Sequence, residues 1–411
     1  MAAIARALGL AALLLAPAGA AAAPAVALGA RYELVHPASG HEVHVSAPAL
    51  GVAADGAPLL TWAARHGETN HLFVARPADP GAQPIKVNPP ELTVEALHHS
   101  PLLATGPGGE IYLSWSSDRP KPADTLYASD LRLSRSLDGG RTFGAPLRVT
   151  EDQPISHSFD GLAVAPDGAV LVTWIDGREG LPNPATYLAR VVDRGERVES
   201  VARLDGDTCV CCRVALAAGP GDAVAVLRRK VFPGDIRDMV LGLSRDGGRH
   251  FGAPSRVRDD GWKISACPHR GGQVAIDGRG RFYAAWYTEG ARGLPRMLFA
   301  TSADGRRFGP AVQVTGAGNT IPDQVRLAVS PAGAVVIVWE DATAVRRRVL
   351  LRASADGGRT LGPVRVLSEP VKAYAPDVKA TAGGDFLVAW HEERFPSLRT
   401  VVRAVQVRPG S

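Results

Sequence analysis

The sequence predicts an all-β protein, a closed β-propeller built from four-stranded blades. Three observations carry this prediction: an apolar segment recurs along the chain, its period is about 50 to 60 residues, and Gly-containing turns separate short β-branched or aromatic runs. These runs lack helical periodicity. A period of this size, made of strands and tight turns, is typical of propeller blades.

The repeated segments determine the predicted number of blades. Six of them end in a tryptophan, at Trp62, Trp115, Trp174, Trp286, Trp339 and Trp390. A seventh copy around Val226 lacks the tryptophan and fills the only gap in the spacing. The count therefore predicts seven blades, with six as the alternative if one unit is degenerate.

The last unit, which starts at Asp377, contains only three strand-like runs. The segment HEVHVS (41–46) is predicted to supply the fourth strand. It would close the ring by pairing the N-terminal chain with the final blade, which leaves no open sheet edge.

The N-terminus has the features of an export signal. Arg6 precedes an apolar run, and the small residues that follow offer cleavage sites after Ala20 or Ala23. The run is too short to span a bilayer, and no later apolar stretch of about 18 residues occurs. We therefore predict a signal peptide over 1–23, a single propeller domain over 24–411, and a monomer without a membrane span in the periplasm or the extracellular space.

The charge distribution argues against a nucleic-acid partner. The net charge is +5 over 411 residues, and the arginines are scattered through the turns. No Lys/Arg-dense run and no interleaved aromatic residues form the basic stripe that nucleic-acid binding requires.

A shared turn follows the third strand of several units. Its most complete copy is SLDGGRTF (136–143), in which an aspartate can accept backbone N–H bonds, a glycine supplies positive φ, and an aromatic residue packs between blades. The aspartates of the four copies are Asp138, Asp246, Asp304 and Asp356. We interpret them as structural residues.

This turn resembles the Asp box (BNR repeat) of the sialidase superfamily, S-x-D-x-G-x-T-F. Residues 136–143 match the pattern in full, and the other three copies match it in part. The resemblance covers nearly the whole mature chain and implies a sialidase-like propeller. It says little about activity, because Asp boxes also occur in propellers without glycosidase activity.

Strand parity separates the two faces of the disc. It places the Asp boxes on one face and the inter-blade segments, with the long polar loops, on the other, where function is expected. The seven units can be aligned on an alanine that each first strand contains. The residues six positions before this alanine form one column of the alignment: Ala47, His98, His157, Cys209, His269, Pro322 and Tyr374. We interpret His98, His157, His269 and Cys209 as candidate metal ligands at the channel mouth, with ordinary loop residues as the alternative.

The resemblance to sialidases implies a catalytic site that is only partly present. Ser46 stands where the family has an arginine of the carboxylate clamp, and Glu68 is the only acid available in place of the acid/base aspartate. Tyr374 lies in the segment that carries the family's nucleophilic tyrosine. The candidates for anion binding are Arg213, Arg237, Arg270 and Arg326.

Two functions follow from these residues. The first is a propeller that binds a glycan, another small ligand or a metal ion at the channel mouth. The second is an exo-acting glycoside hydrolase of sialidase type with an altered clamp. Classical sialidase turnover is not expected, because one clamp arginine and the acid/base aspartate are replaced.

The four cysteines form the most individual feature. Cys209, Cys211 and Cys212 belong to a C-x-C-C segment, and Cys267 belongs to a W-x-I-x-x-C-P segment before the next blade. The two segments resemble a subgroup of sialidase-like exported bacterial proteins. Disulfides between neighbouring blades are the favoured interpretation, because exported cysteines usually oxidise. The alternative is a copper or zinc ion held by thiolates and histidines.

Overall fold

The computed structural model describes residues 23–36, 45–66, 69–79, 81, 83–94, 100–120, 127–180, 182–316 and 320–410. These residues form seven four-stranded antiparallel sheets, the blades of one propeller. The prediction of an all-β propeller with seven blades is confirmed, and the six-blade alternative is wrong. The only helical element of the described chain is a 3₁₀ turn at Gly290–Arg292. No helix within it is long and apolar enough to cross a membrane.

Blades 1 to 3 use strands in sequence order. Blade 1 contains β2 (Ala49–Val52), β3 (Pro58–His66), β4 (Thr69–Ala75) and β5 (Ile85–Lys86). Blade 2 contains β6 (Leu102–Thr105), β7 (Ile111–Asp118), β8 (Ser129–Ser136) and β9 (Leu147–Arg148). Blade 3 contains β10 (Ser158–Val164), β11 (Val170–Asp176), β12 (Ala185–Val192) and β13 (Arg197–Asp205).

Blades 4 to 6 repeat this arrangement. Blade 4 contains β14 (Ala215–Gly219), β15 (Ala223–Phe232), β16 (Ile236–Ser244) and β17 (Ser255–Arg256). Blade 5 contains β18 (Gly272–Ile276), β19 (Phe282–Thr288), β20 (Arg296–Ser302) and β21 (Val312–Gln313). Blade 6 contains β22 (Pro322–Val329), β23 (Val335–Asp341), β24 (Arg348–Ser354) and β25 (Arg365–Val366).

Blade 7 closes the ring with the N-terminal chain. It consists of β26 (Lys372–Ala380), β27 (Phe386–Arg394), β28 (Ser397–Arg408) and β1 (Ala25–His36), which pairs antiparallel with β28. The expectation that residues 41–46 supply this strand is wrong. The 12-residue segment upstream matches the full length of β28. Residues 41–44 lie outside the described chain, and Val45 forms a bridge to Ala64 of blade 1 instead.

The second strands form the core because neighbouring blades cover both of their faces. All seven residues of β11, β19 and β23 are buried. Their continuous apolar sequence, without alternation, is the pattern of a strand covered on both sides. The repeat tryptophans Trp174, Trp286 and Trp390 are completely buried. Each repeat of the sequence thus corresponds to one buried second strand. Because every blade has one such strand, the number of repeats equals the number of blades.

The four turns that resemble Asp boxes, called Asp-box turns below, follow third strands of their blades, as predicted from the sequence. In blade 2, Asp138 Oδ1 accepts hydrogen bonds from the amides of Arg141 and Thr142, and Oδ2 accepts one from Thr142 Oγ1. Ser136 Oγ donates to the same carboxylate and accepts the amide of Gly140, which has a φ of 88°. Each turn thus satisfies its own polar groups locally.

Candidate functional site

A cavity of about 680 Å³ opens at the centre of the ring. The segments that enter all seven blades contribute to its wall, from Ser46 before blade 1 to Tyr374 in blade 7. It lies opposite the Asp boxes, which contact the turns between the first and second strands: the amide of Gly247, for example, donates to the carbonyl of Asp222. The volume is in the range of small-ligand sites.

Bulges in three first strands shape the wall of this cavity. The pairing of β10, β22 and β26 with their neighbours shifts register near Phe159, Gln324 and Ala375. These three residues adopt positive φ values of 55°, 51° and 54°. Because a bulge redirects the side chains beside it, it brings residues on both sides of the bulge to the channel. Nothing in the sequence pattern indicated these bulges.

Three of the four arginines proposed for anion binding meet in the cavity: Arg213, Arg270 and Arg326. Arg270 is paired, since its Nε and Nη2 lie 3.1 and 3.2 Å from the two oxygens of Asp323. Its guanidinium also stacks over the ring of Tyr287, with 4.5 Å to the centroid. Arg270 is therefore fixed by neighbours within the wall.

Arg213 and Arg326 are less completely paired. Arg213 Nη2 donates to the carbonyl of Ser100 at 2.8 Å, and its ion-pair distance to Asp160 is 3.6 Å. Arg326 Nη1 donates to the carbonyl of Val325, and Arg326 Nε is 3.8 Å from Asp377. Burial lowers the pKa of Arg326, and the charge of Arg213 lowers it further although Asp377 acts in the opposite direction. Two partly compensated guanidiniums thus share one cavity.

The cavity also contains residues that the sequence analysis did not select. Arg65 and Arg347 bring the number of lining arginines to five, against the carboxylates of Asp323 and Glu340. Arg347 forms an ion pair with Glu340. Two other lining residues, Glu340 and Tyr287, could have been found from the sequence. Each directly follows a repeat tryptophan, near the end of a second strand that reaches the cavity face. The concave surface carries an excess of positive charge, which favours anionic ligands.

Arg237, the fourth proposed arginine, lies elsewhere. Its Nη1 donates to Cys209 Sγ at 3.2 Å. Burial lowers the pKa of Arg237, but the hydrogen bond to Cys209 and the thiol charges raise it, and the net effect is upward. It is thus a partner of the cysteine cluster and does not belong to the set of arginines that line the cavity.

Tyr374 lines the cavity, as its place in the inter-blade segment predicted. Burial and the charge of Glu393 raise its pKa to about 12, so its hydroxyl stays protonated at neutral pH. The neighbouring amide of Ala375 donates to Glu340 at 3.1 Å. Glu68, the other catalytic candidate, lies outside the described residues.

Ser46, which the sequence resemblance placed at the position of a clamp arginine, forms hydrogen bonds with the backbone. Its hydroxyl accepts a hydrogen bond from the amide of Ala63 at 2.9 Å and donates to the carbonyl of Ala47. Its own carbonyl is 3.0 Å from His391 Nε2. The position is occupied by a short side chain that links blades 1 and 7.

The proposed histidine ligands are not assembled at one point. His98 lies outside the described residues, and His157 is fully buried with Nδ1 2.5 Å from the carbonyl of Ser129. Burial lowers the pKa of His157. His269 lines the cavity and packs 6.3 Å from the ring of Phe159. The column therefore brings one described histidine to the channel mouth.

Strand pairing shifts the alignment of blade 4 by two residues. In this blade, Arg228 occupies the position that the repeat tryptophan has in blade 5. The alanine equivalent to Ala275 of blade 5 is therefore Ala217 and not Ala215. Six positions earlier stands Cys211, which lines the cavity, whereas Cys209 is fully buried. This strand carries several alanines, so the sequence alone does not determine which of them aligns.

Three cysteines lie together, and all four cysteines are free thiols. Cys209 Sγ is 3.3 Å from Cys212 Sγ and 3.8 Å from Cys211 Sγ. Both distances exceed the disulfide bond length of about 2.05 Å. The structure thus contains none of the disulfides that the sequence favoured. Cys267 is exposed and does not belong to the group, which contradicts the expectation that it reaches the other three.

Comparison with known proteins finds solved structures of similar fold. No protein-family model and no curated protein match the chain. An ulvan lyase is similar in structure, with a TM-score of 0.58 and 11% identity over 89% of this chain and 94% of its own. An α-L-arabinofuranosidase from Fusarium graminearum has a TM-score of 0.52 and 14% identity over 92% and 98%. A Hadza microbial sialidase has a TM-score of 0.50 and 15% identity over 85% and 73%. At such identities the similarity shows the fold alone.

Proposed function

We propose that this protein is an exported carbohydrate-binding propeller that takes an acidic saccharide at the channel mouth. The observation that carries the proposal is the pair Arg213 and Arg326 in this cavity, whose nearest carboxylates lie at 3.6 and 3.8 Å. A guanidinium can bind a carboxylate or a sulfate group through two parallel hydrogen bonds. A sugar that carries such a group is the ligand class that this wall favours.

Arg213 and Arg326 are assigned as the residues that contact the anionic group. Their nearest carboxylates lie at 3.6 and 3.8 Å, beyond hydrogen-bonding distance, so donor capacity remains. Arg270, already bound to both oxygens of Asp323, supports the wall and contributes charge. Binding an anion between Arg213 and Arg326 would relieve the repulsion between two guanidiniums.

The neutral part of the ligand is assigned to the aromatic lining. Tyr287, Tyr374 and Phe159 all border the cavity, and its volume of about 680 Å³ suits a mono- or disaccharide. The protonated hydroxyl of Tyr374 donates its hydrogen bond to Glu393, and its oxygen can accept a hydrogen bond from a sugar hydroxyl. An ulvan lyase of similar fold has been seen bound to a saccharide that contains GlcA and Rha3S units, which is consistent with an acidic ligand.

A second candidate function, glycoside hydrolysis, rests on Tyr374 within the same cavity. A tyrosine nucleophile must lose its proton readily. Burial and the charge of Glu393 raise the pKa of Tyr374 to about 12, which opposes that role. Binding is therefore the better-supported function. Export to the periplasm or the extracellular space rests on the signal-like residues 1–23.

Isothermal titration calorimetry with matched ligand pairs tests the proposal. We expect sialyllactose and an oligosaccharide of glucuronic acid to bind more tightly than lactose, and their affinities to fall as salt rises. Arg326→Gln should weaken the acidic ligands about 10- to 100-fold, as expected for one lost charged hydrogen bond. Arg306→Gln is the control, because Arg306 is an exposed residue of an Asp-box turn. Equal affinity for acidic and neutral members of a pair would refute the proposal.

A further inference from the structure

The group of three cysteine thiols has the dimensions of a metal site. Cys209, Cys211 and Cys212 are buried, and their Sγ atoms all lie within 4.8 Å of one another. Metal–thiolate bonds of about 2.3 Å place three sulfurs around one ion about 4 Å apart. The observed separations of 3.3 and 3.8 Å are close to this value. One ion could therefore bind all three without rearrangement of the backbone.

The surroundings of the thiols are cationic. Arg237 Nη1 donates to Cys209 Sγ at 3.2 Å. Arg229 is buried, and its donors all bind neutral carbonyls, those of Arg270, Arg237 and Tyr287. The charge of Arg229 acts on Cys212 and also on the carboxylate of Asp260. Two guanidiniums beside three thiols offer the compensation that a buried anionic cluster requires.

We propose that Cys209, Cys211 and Cys212 form a three-thiolate binding site for a soft monovalent cation, Cu(I). Cys211 lines the central cavity and gives the ion a path from solvent. Among the residues with described positions, these three form the only group of three or more His, Cys, Asp or Glu ligands with such spacing. Zn(II) in structural sites almost always takes four ligands, whereas a three-sulfur set suits Cu(I).

The charge balance supports a monovalent ion. Binding one Cu(I) ion to three thiolates releases the thiol protons to solvent, and no electron is transferred. The resulting cluster carries two negative charges, and Arg237 and Arg229 supply two positive ones. A disulfide is the competing state of this cluster. Cys209 and Cys212 are the closest pair, but their oxidation would leave Cys211 without a partner in the group.

Anaerobic titration of the reduced mature protein with Cu(I), in competition with bicinchoninate, tests the site. We expect one equivalent to bind, and X-ray absorption to show three sulfur neighbours and no nitrogen at the copper. Cys209→Ser, Cys211→Ser and Cys212→Ser should each weaken binding at least about 100-fold, since each removes one of three bonds. Cys267→Ser is the matched control and should bind Cu(I) as the wild type does, because Cys267 is exposed and outside the group.

Thermal melting of each variant separates loss of the site from loss of the fold. A variant that melts as the wild type does and has lost Cu(I) supports the assignment. Unchanged affinity in Cys211→Ser would overturn it, as would a site that prefers Zn(II) or that loses its ion in Cys267→Ser. Arg326→Gln, which is expected to lose saccharide binding, should retain Cu(I), so that failure of one proposal leaves the other distinguishable.

Discussion

The two faces of this propeller use polar side chains in opposite ways. On the Asp-box face, each carboxylate is satisfied within its own turn: Asp138 accepts three hydrogen bonds from residues three or four positions later. On the cavity face, Arg213 and Arg326 depend on other blades, and their nearest carboxylates are beyond hydrogen-bonding distance. A satisfied polar group stabilises the fold, and one with remaining donors can bind a ligand.

The comparison teaches that similar residue types can serve different purposes on the two faces. The four Asp-box aspartates form hydrogen bonds within their own turns. Arginines occur on both faces, and only those that converge on the channel from several blades build a concave positive surface. The variants below should separate the two faces by their effects on binding and on stability.

The largest expected effect is on saccharide affinity. In Arg213→Gln/Arg326→Gln, both incompletely paired guanidiniums are removed, and we expect affinity for an acidic saccharide to fall at least about 100-fold. The free energy of unfolding should stay within about 1 kcal/mol, because relief of the like-charge contact offsets the lost hydrogen bonds. Calorimetric titration and urea unfolding measure the two quantities. A large loss of stability would show that the pair is structural.

The next effect is acid destabilisation of the closing blade. His36 and His391 both contact Thr400 Oγ1, at 2.7 and 3.0 Å, and burial lowers their pKa values to about 3 and about 4. The unfolded chain takes up these protons near pH 6.5, whereas the folded protein does not. Stability should therefore fall as the pH drops from about 6.5 towards 4, by up to a few kcal/mol.

Urea unfolding at a series of pH values measures this dependence. His391→Gln should be less stable than the wild type at pH 7 and should show a weaker pH dependence between 6.5 and 4. His250→Gln is the comparison: His250 is exposed and its Nδ1 lies 2.6 Å from Asp246 Oδ2, so its loss should leave the acid sensitivity of the closing blade in place. An identical pH profile in the wild type and in His391→Gln would assign the acid sensitivity to other groups.

The fold could be predicted from the sequence because the features that determine it are local and repeated. The tryptophan of each second strand and the turn after each third strand recur at a fixed period, so seven blades could be counted. The closing strand could not be located in this way. It occurs once, and AVALGARYELVH of β1 and HEVHVS are both short polar-apolar mixtures. Only pairing with β28 distinguishes them.

The cavity was predictable only in part, since its residues come from seven separate segments. Arg213, Arg270, Arg326, His269 and Tyr374 were selected, and all of them line it. Arg237 was assigned to the wrong group, because spacing along the chain does not reveal that it points towards Cys209. The bulges at Phe159, Gln324 and Ala375 were missed for a similar reason, since no glycine marks these positive φ values.

A smaller effect is expected from the loss of one Asp box. Asp138→Ala removes hydrogen bonds across an exposed turn and should lower the free energy of unfolding by about 1 kcal/mol or more. Saccharide affinity should not change, because the turn is on the opposite face. Asp385→Ala is the control. Asp385 forms a partly exposed ion pair with Arg408 and accepts a hydrogen bond from Gln406, but it does not belong to an Asp-box turn. Normal stability with lost binding would reverse the assignment of the faces.

The smallest effect should follow from Tyr374→Phe. The change removes one hydroxyl and keeps the ring, so we expect the affinity for an acidic saccharide to fall by no more than about tenfold, the value of one neutral hydrogen bond. With a fluorogenic sialoside, the wild type should show little or no turnover, because the Ser46 hydroxyl is bound to the backbone at the position where the resemblance implies an arginine, and the raised pKa of Tyr374 keeps its hydroxyl protonated. Robust turnover that Tyr374→Phe abolishes would contradict this. That result would identify Tyr374 as a nucleophile and the cavity as an active site.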